Sequence, residues 1–191
     1  MIKVVAFNGS PRKGGNTEML LERVCGVLEE EGIDTEQVAL RTLKFDGCIA
    51  CMQCFERKDG RCAVKKDDMN ACIEKMREAD GILLGSPTYF ADVSVRVKAL
   101  MERAGMVARA NGDMFRRKVG AAVVAVRRAG GIHTFDSMNH FFLIGQMIVP
   151  GSSYWNVGVG RDAGQVQADE EGMQTMTTLG RNMAWLLKKL A

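Results

Sequence analysis

The sequence predicts an α/β fold, a doubly wound five-stranded parallel sheet between two layers of helices, on three observations. Strand-length apolar runs alternate five times with segments of helical periodicity. The run at 82–86 is apolar throughout, as strands buried on both faces of a parallel sheet are. Unusual chemistry sits where the first, third and fourth strands end, and open parallel sheets bind ligands at those ends.

The first strand starts at Ile2 and breaks after Phe7 into Asn8-Gly9-Ser10-Pro11-Arg12-Lys13-Gly14-Gly15-Asn16-Thr17. A helix over 18–31 follows, with Leu20, Leu21, Val24, Cys25, Val27 and Leu28 on one face and Gly32 as its stop. The second strand spans 33–40 and leads into a cysteine-rich insertion at about 43–66. Asp67 and Asp68 cap a helix that turns Met69, Cys72, Ile73 and Met76 inward and ends at Asp80-Gly81. Cys25 and Cys72 therefore read as core thiols. The third strand exits through Pro87-Thr88-Tyr89-Phe90, and a helix over 94–104 offers Val95, Val97, Leu100 and Met101 to the sheet. The fourth strand, 118–126, exits through Arg127-Arg128-Ala129-Gly130-Gly131. A helix over 132–144 and a fifth strand between Gln146 and Asn156 follow. Asp169-Glu170-Glu171 opens the closing helix, with acids at its positive end and Lys188-Lys189 at its negative end. Its inward stripe is Met173, Met176, Leu179, Met183, Leu186, Leu187 and Leu190.

With 191 residues, 47% of them apolar, and no repeat, linker or low-complexity stretch, residues 1–191 read as one domain with a sizeable core. No apolar run reaches membrane-spanning length, and the N-terminus enters a strand without a signal-like segment, so a cytoplasmic protein with no membrane partner is expected. The net charge of +3 is spread among interspersed acids and bases, which argues against a nucleic-acid-binding face. Arg116-Arg117-Lys118 and Arg127-Arg128 read as solvated loop ends. Six cysteines in such a chain are expected as reduced thiols, and clustered ones point to metal or redox chemistry.

The loop after the first strand has the makings of an anion site. Glycines let the backbone approach a ligand, the helix start offers free N–H groups, Ser10, Asn16 and Thr17 add neutral donors and Arg12 a charged fork. Gly14 is followed by Gly15 and Asn16, not by the Lys and Ser/Thr of a nucleotide-hydrolysing loop, and Gly9-Ser10-Pro11 lacks the Gly-x-Gly of a dinucleotide site. A monophosphate fits; the plain alternative is a glycine-rich turn that binds nothing. With the aromatic pair Tyr89-Phe90 and the Gly130-Gly131 turn converging on one end of the sheet, the expected ligand is a flat phosphorylated ring, FMN.

Three motifs together, the Gly9-to-Thr17 loop, Gly85-Ser86-Pro87-Thr88-Tyr89-Phe90 and the cysteine run, resemble the iron-sulfur flavoproteins, a branch of the NAD(P)H-dependent FMN reductase-like superfamily with a flavodoxin-like three-layer α/β/α fold. The resemblance extends to Trp155-Asn156-Val157-Gly158 and Asp169-Glu170-Glu171-Gly172. It implies that Ser10, Arg12, Gly15, Asn16 and Thr17 hold the FMN phosphate and that Pro87, Thr88, Tyr89 and Phe90 border the ring. Backbone amides near Gly130 and Gly131, with Arg128, would stabilise the reduced, anionic ring, and no acid-base catalyst is assigned.

Cys48, Cys51, Cys54 and Cys62 carry two overlapping C-x-x-C steps and a fourth thiol farther on, with Asp59-Gly60 as the returning turn. That spacing suits a [4Fe-4S] cluster better than zinc, whose ligands usually come as two separated pairs. Redox-active or vestigial thiols remain the other readings. His133 and His140 read as packing or surface residues. The expected function is an FMN-dependent oxidoreductase or electron-transfer flavoprotein coupling FMN to the cluster and to a reduced donor, NAD(P)H or a ferredoxin. The alternatives are a carrier without its own substrate and an FMN or quinone reductase whose cysteines hold no cluster. Thirteen methionines, with Met101, Met106 and Met114 expected near the flavin-site rim, and the pairing of related flavoproteins lead to an expected homodimer or homotetramer. Strand two, like strands one and three, should exit on the flavin side and carry the cluster there.

Overall fold

The computed structural model describes all 191 residues. Five parallel strands, β1 (Lys3–Asn8), β2 (Asp34–Ala39), β3 (Gly81–Pro87), β4 (Val119–Val126) and β5 (Val157–Val159), lie in the order β2-β1-β3-β4-β5. The helices are α1 (Asn16–Glu30), α2 (Gln53–Arg57), α3 (Met69–Glu78), α4 (Val95–Ala110), α5 (Gly131–Ile144) and α6 (Glu170–Leu190), with 3₁₀ turns at Leu40–Thr42 and Gln165–Ala168. No helix is long and apolar enough to cross a membrane.

Alternation along the central strands divides the core in two. Val4, Ala6, Leu83, Ala121 and Val123 pack against α1 and α6, while Val5, Phe7, Ile82, Leu84, Ala122 and Val124 pack against α3, α4 and α5. Phe7 pairs with Leu84, and Leu84 with Ala122, so the second layer has a continuous apolar row across the sheet. All six residues expected on the inner face of α1 are buried, and Gly32 takes the left-handed conformation just past its end. Cys25 and Cys72 are core residues.

Four details differ from expectation. The Asp67 carboxylate, not that of Asp68, bonds the first turn of α3 at the N–H of Met69 (3.2 Å), because Asp68 accepts instead from the N–H of Lys44 (2.7 Å). Helix α4 runs past Gly105 to Ala110: the Phe141 ring packs over that glycine, whose small size admits a neighbour there without stopping the helix. Val95 faces outward rather than the sheet (83% exposed), as does Leu190 at the end of α6. The fifth strand lies beyond Asn156. Ile148 makes one isolated bridge to Val119 in the first half of β4, residues 150–153 (Pro-Gly-Ser-Ser) leave the sheet, and only Val157–Val159 pair with Val124–Val126.

Candidate functional site

The β1–α1 loop is shaped by its own side chains. Asn8 Oδ1 accepts from the Ser10 N–H (2.9 Å), Ser10 Oγ from the Arg12 N–H (3.2 Å), and the Glu18 carboxylate from the Gly14 N–H (2.8 Å). Gly14 supplies the positive φ of +62° at the tip. Gly15 is the N-cap of α1 and no side chain caps that turn, so its first N–H groups are left for a ligand. Thr17 is 1% exposed, and its Oγ1 has no hydrogen-bond partner in the protein. A buried hydroxyl without a partner is costly, so this one marks where a ligand oxygen belongs.

Beside Thr17 is an open pocket of about 390 Å³. Ser10, Arg12, Gly15, Asn16 and Thr17 form one wall, and Pro87, Thr88 and Tyr89 at the end of β3 form another. Arg127 closes it from β4, and Gly160 and Arg161 from the end of β5. The Arg12 guanidinium donates to the Arg161 carbonyl (3.3 Å). The β5 contribution was missed in the sequence because the strand was sought ten residues too early; its true position puts Gly160-Arg161 at a strand exit. A hollow of about 450 Å³ at the opposite end of the sheet, between the chain termini and residues 116–118, contains no orphaned polar side chain.

Phe90, Arg128, Gly130 and Gly131 do not border the pocket. Phe90 and Ala91 have φ of +47° and +62°, and Tyr89 and Asp92 exchange both backbone hydrogen bonds (2.9 Å each), which is a type I′ turn built without glycine. The turn is held from β4 and α5. Gly130 (φ +83°) lets the chain pass Ala91 so closely that a Cβ would lie 3.0 Å from its Cα, and Ser137 Oγ donates to Asp92 Oδ1 (2.7 Å). Burial pushes the Asp92 carboxyl up, but the bonds from Ser137 and the Val93 N–H outweigh it and hold the group below its ordinary value. Phe90 is left fully exposed at the tip, so neither aromatic of the Tyr89-Phe90 pair belongs to the core. Met101 is a core residue, Met106 lines the cysteine pocket described next and Met114 lies by the hollow at the far end, so none of the three rims this pocket. His133 and His140 are exposed on α5.

Cys48, Cys51, Cys54 and Cys62 line a second, apolar pocket together with Val64, Met106 and Val107. Left-handed Ala50 and Met52 flank Cys51 and curl the backbone about it. Gly60 (φ +71°) and Asp59, which accepts from the Arg61 N–H (3.1 Å), form the returning turn. Burial pushes the Cys54 thiol up. No three Cys, His, Asp or Glu side chains stand close enough to share one metal ion. Four thiols on one apolar-walled pocket are the donor set that a cluster would need, each thiolate binding its own iron.

The insertion does not stay on the flavin side. From Phe45 to Gly60 it tracks down α4, through Arg96 to the Phe45 carbonyl (2.8 Å), Cys48 N–H to Glu102 (3.4 Å), Cys54 Sγ to the Met106 carbonyl (3.9 Å) and Gly60 N–H to Asn111 (2.9 Å). Ser94, at the head of α4, bonds the Gly9 carbonyl beside the phosphate loop (2.8 Å). The twelve residues from Val95 to Met106 span about 18 Å of helix. Nothing in the residue pattern signals this path, because strand exits fix where a loop begins and not where it lies.

Comparison with known proteins agrees with this geometry. The sequence pattern of NADPH-dependent FMN reductases matches residues 2–162. The chain is 39% identical to an iron-sulfur flavoprotein of Methanocaldococcus jannaschii over 98% of both chains. It is 32% identical to one of Methanosarcina thermophila over 98% of this chain and 96% of the other. Among solved structures it is similar to RosB with a bound 8-demethyl-8-formylriboflavin-5'-phosphate intermediate (TM-score 0.78, 19% identity, 100% of this chain and 80% of that one). It is also similar to a flavodoxin from the domain Archaea (TM-score 0.63, 16% identity, 98% and 99%).

Proposed function

Because the chain belongs to the iron-sulfur flavoproteins of the NADPH-dependent FMN reductase family, we propose that it is an FMN-dependent oxidoreductase that exchanges electrons between a reduced donor, NAD(P)H or a ferredoxin, and a [4Fe-4S] cluster on Cys48, Cys51, Cys54 and Cys62. The observation that carries this reading is the presence in one chain of a phosphate cradle with the orphaned Thr17 hydroxyl and a separate pocket rimmed by four thiols. When bound, FMN supplies two- and one-electron chemistry and the cluster one-electron chemistry.

The protein's own part is to bind and to place. The α1 N-terminus, Ser10, Asn16 and Thr17 donate to the phosphate, and Arg12 neutralises part of its charge. Pro87, Thr88 and Tyr89 wall the ring, with Phe90 on the turn above. Gly130 acts from behind, against the Phe90 turn, and Arg127 joins Arg12 and Arg161 as a cation at the pocket. The course of the insertion along α4, away from the loop that Ser94 bonds, supports transfer between copies of the chain, in a homodimer or homotetramer, over transfer within one.

Anaerobically prepared protein tests the reading through iron, sulfide and flavin counted per chain, with on the order of four irons and one flavin expected. Stoichiometric zinc, or no metal before exposure to air, would sink the cluster. Mixing with NADH and NADPH in a stopped-flow instrument tests the donor: no flavin bleaching by either leaves a ferredoxin as the donor.

A further inference from the structure

We propose that Arg103 sets the reduction potential of the cluster through its hydrogen bond to the Cys62 sulfur, an inference that rests on the cluster reading above. Arg103 is 3% exposed in the middle of α4, where the insertion folds over it. Its Nη1 donates to Asp67 Oδ2 (2.5 Å) and the Asp46 carbonyl (3.3 Å). Its Nη2 is shared among Cys62 Sγ (3.1 Å), Asp67 Oδ1 (3.3 Å) and the Val64 carbonyl (3.5 Å), while Nε is buried without a partner. The guanidinium meets Asp67 end-on, Nη1 to Oδ2 and Nη2 to Oδ1, and the same Nη2 comes closer to the Cys62 sulfur than to Oδ1. One arm is thus shared between the carboxylate and the cysteine.

Stability alone does not account for the arrangement, because a buried ion pair is commonly replaceable by apolar side chains without loss. Cys62 is also already fixed in place. Asn70 Oδ1 accepts from its N–H (2.8 Å) and Asn70 Nδ2 donates to its carbonyl (3.0 Å), so the ligand stays positioned without Arg103. What Arg103 adds is a buried positive charge against one thiolate. Reduction adds negative charge to a cluster held by four thiolates. A fixed cation and an N–H···S bond favour that reduced form, and hydrogen bonds to the sulfurs are a recognised means of tuning such potentials. Asp67 works in the opposite direction, since its carboxylate offsets part of the same charge. Arg103 is thus a positioning residue for the electron equilibrium, with Asp67 as its counterweight.

The two residues have opposite predicted signs, which a purely structural role does not produce. Potentiometric titration of anaerobic holoprotein, monitored by the cluster's paramagnetic signal, is compared for wild type, Arg103→Met, Arg103→Lys and Asp67→Asn, with iron counted in each. Arg103→Met is expected to weaken reduction of the cluster at least tenfold, a shift of −59 mV for one electron. Asp67→Asn should move it the other way, Arg103→Lys should fall between Met and wild type, and the flavin potential should stay put. An unchanged cluster potential in iron-replete Arg103→Met, or shifts of the same sign in the Met and Asn variants, overturns the proposal. If Arg103→Met fails to retain iron, the sign of the Asp67→Asn shift decides. Wild-type protein without iron overturns the cluster reading itself, and the iron count separates that failure from this one.

Discussion

Thr17→Val should make the empty protein more stable and its flavin complex weaker, two changes that ordinarily go together rather than apart. The substitution keeps the shape of a side chain that is 1% exposed and deletes only the hydroxyl. In the flavin-free protein that hydroxyl is buried without a partner, and relieving such a group is worth about 1–3 kcal/mol. For a chain of this length each kcal/mol raises the melting temperature by about 2–4 °C. Against a bound phosphate the same hydroxyl makes a hydrogen bond to a charged group, worth about 1.5–3 kcal/mol, so its loss weakens FMN about 10- to 150-fold. Thermal denaturation of the flavin-free protein gives the first quantity, and quenching of flavin fluorescence on titration the second. A variant that melts lower without flavin would mean that the hydroxyl has a partner within the protein. One that binds FMN as tightly as wild type would place the phosphate elsewhere.

Two further outcomes follow from burial. Burial pushes the Cys25 thiol up to about 12 and that of Cys72 to about 11, from 9.0. In the unfolded chain both ionise first, so above pH 9 the folded state binds more protons and stability falls as pH rises through the window from 9 to about 12. Denaturation midpoints measured between pH 8 and 11 should show this decline, and the Cys25→Ala/Cys72→Ala variant a shallower one; equal slopes would refute it. Light scattering at micromolar concentration should give at least a dimer, given the exposed Phe90, Val95 and Ile132. Phe90→Asp should lower the mass, and a monomeric wild type would remove the assembly on which transfer between copies depends.

The alternation of strands and helices was legible because its signals are local. The α1 stripe has helical period, 82–85 is apolar throughout, and the glycines of the first loop sit between β1 and α1. The short β5 has only Val-Gly-Val, less apolar than the Met147-Ile148-Val149 run that drew the assignment upstream. The expected end of α4 at residue 104 falls six residues short, because nothing local tells of the Phe141 ring that packs over Gly105. Arg103 lies between Glu102 and Ala104 and reads as a solvated helix cation; its burial comes from the insertion, more than thirty residues earlier in the chain. The four cysteines declared themselves by spacing, but their distance from the flavin pocket is a property of the path along α4, which spacing does not encode.

The margins of the sheet bear on how copies of this chain can meet. On one side β2 presents Asp34, Thr35, Glu36 and Gln37, with Glu36 tied to Lys3 (3.1 Å) and to Lys75. On the other, β5 is three residues long and is flanked by Asp169, whose carboxylate accepts from the N–H of Val159 (2.6 Å). Charged side chains and a very short strand are both ways of keeping an edge from recruiting another. Neither margin offers a ladder for a second chain to zip onto, so the sheet is self-limiting. Any assembly is left to surfaces made of turns and helix flanks, where contacts can be exchanged without pulling the protein toward fibrils.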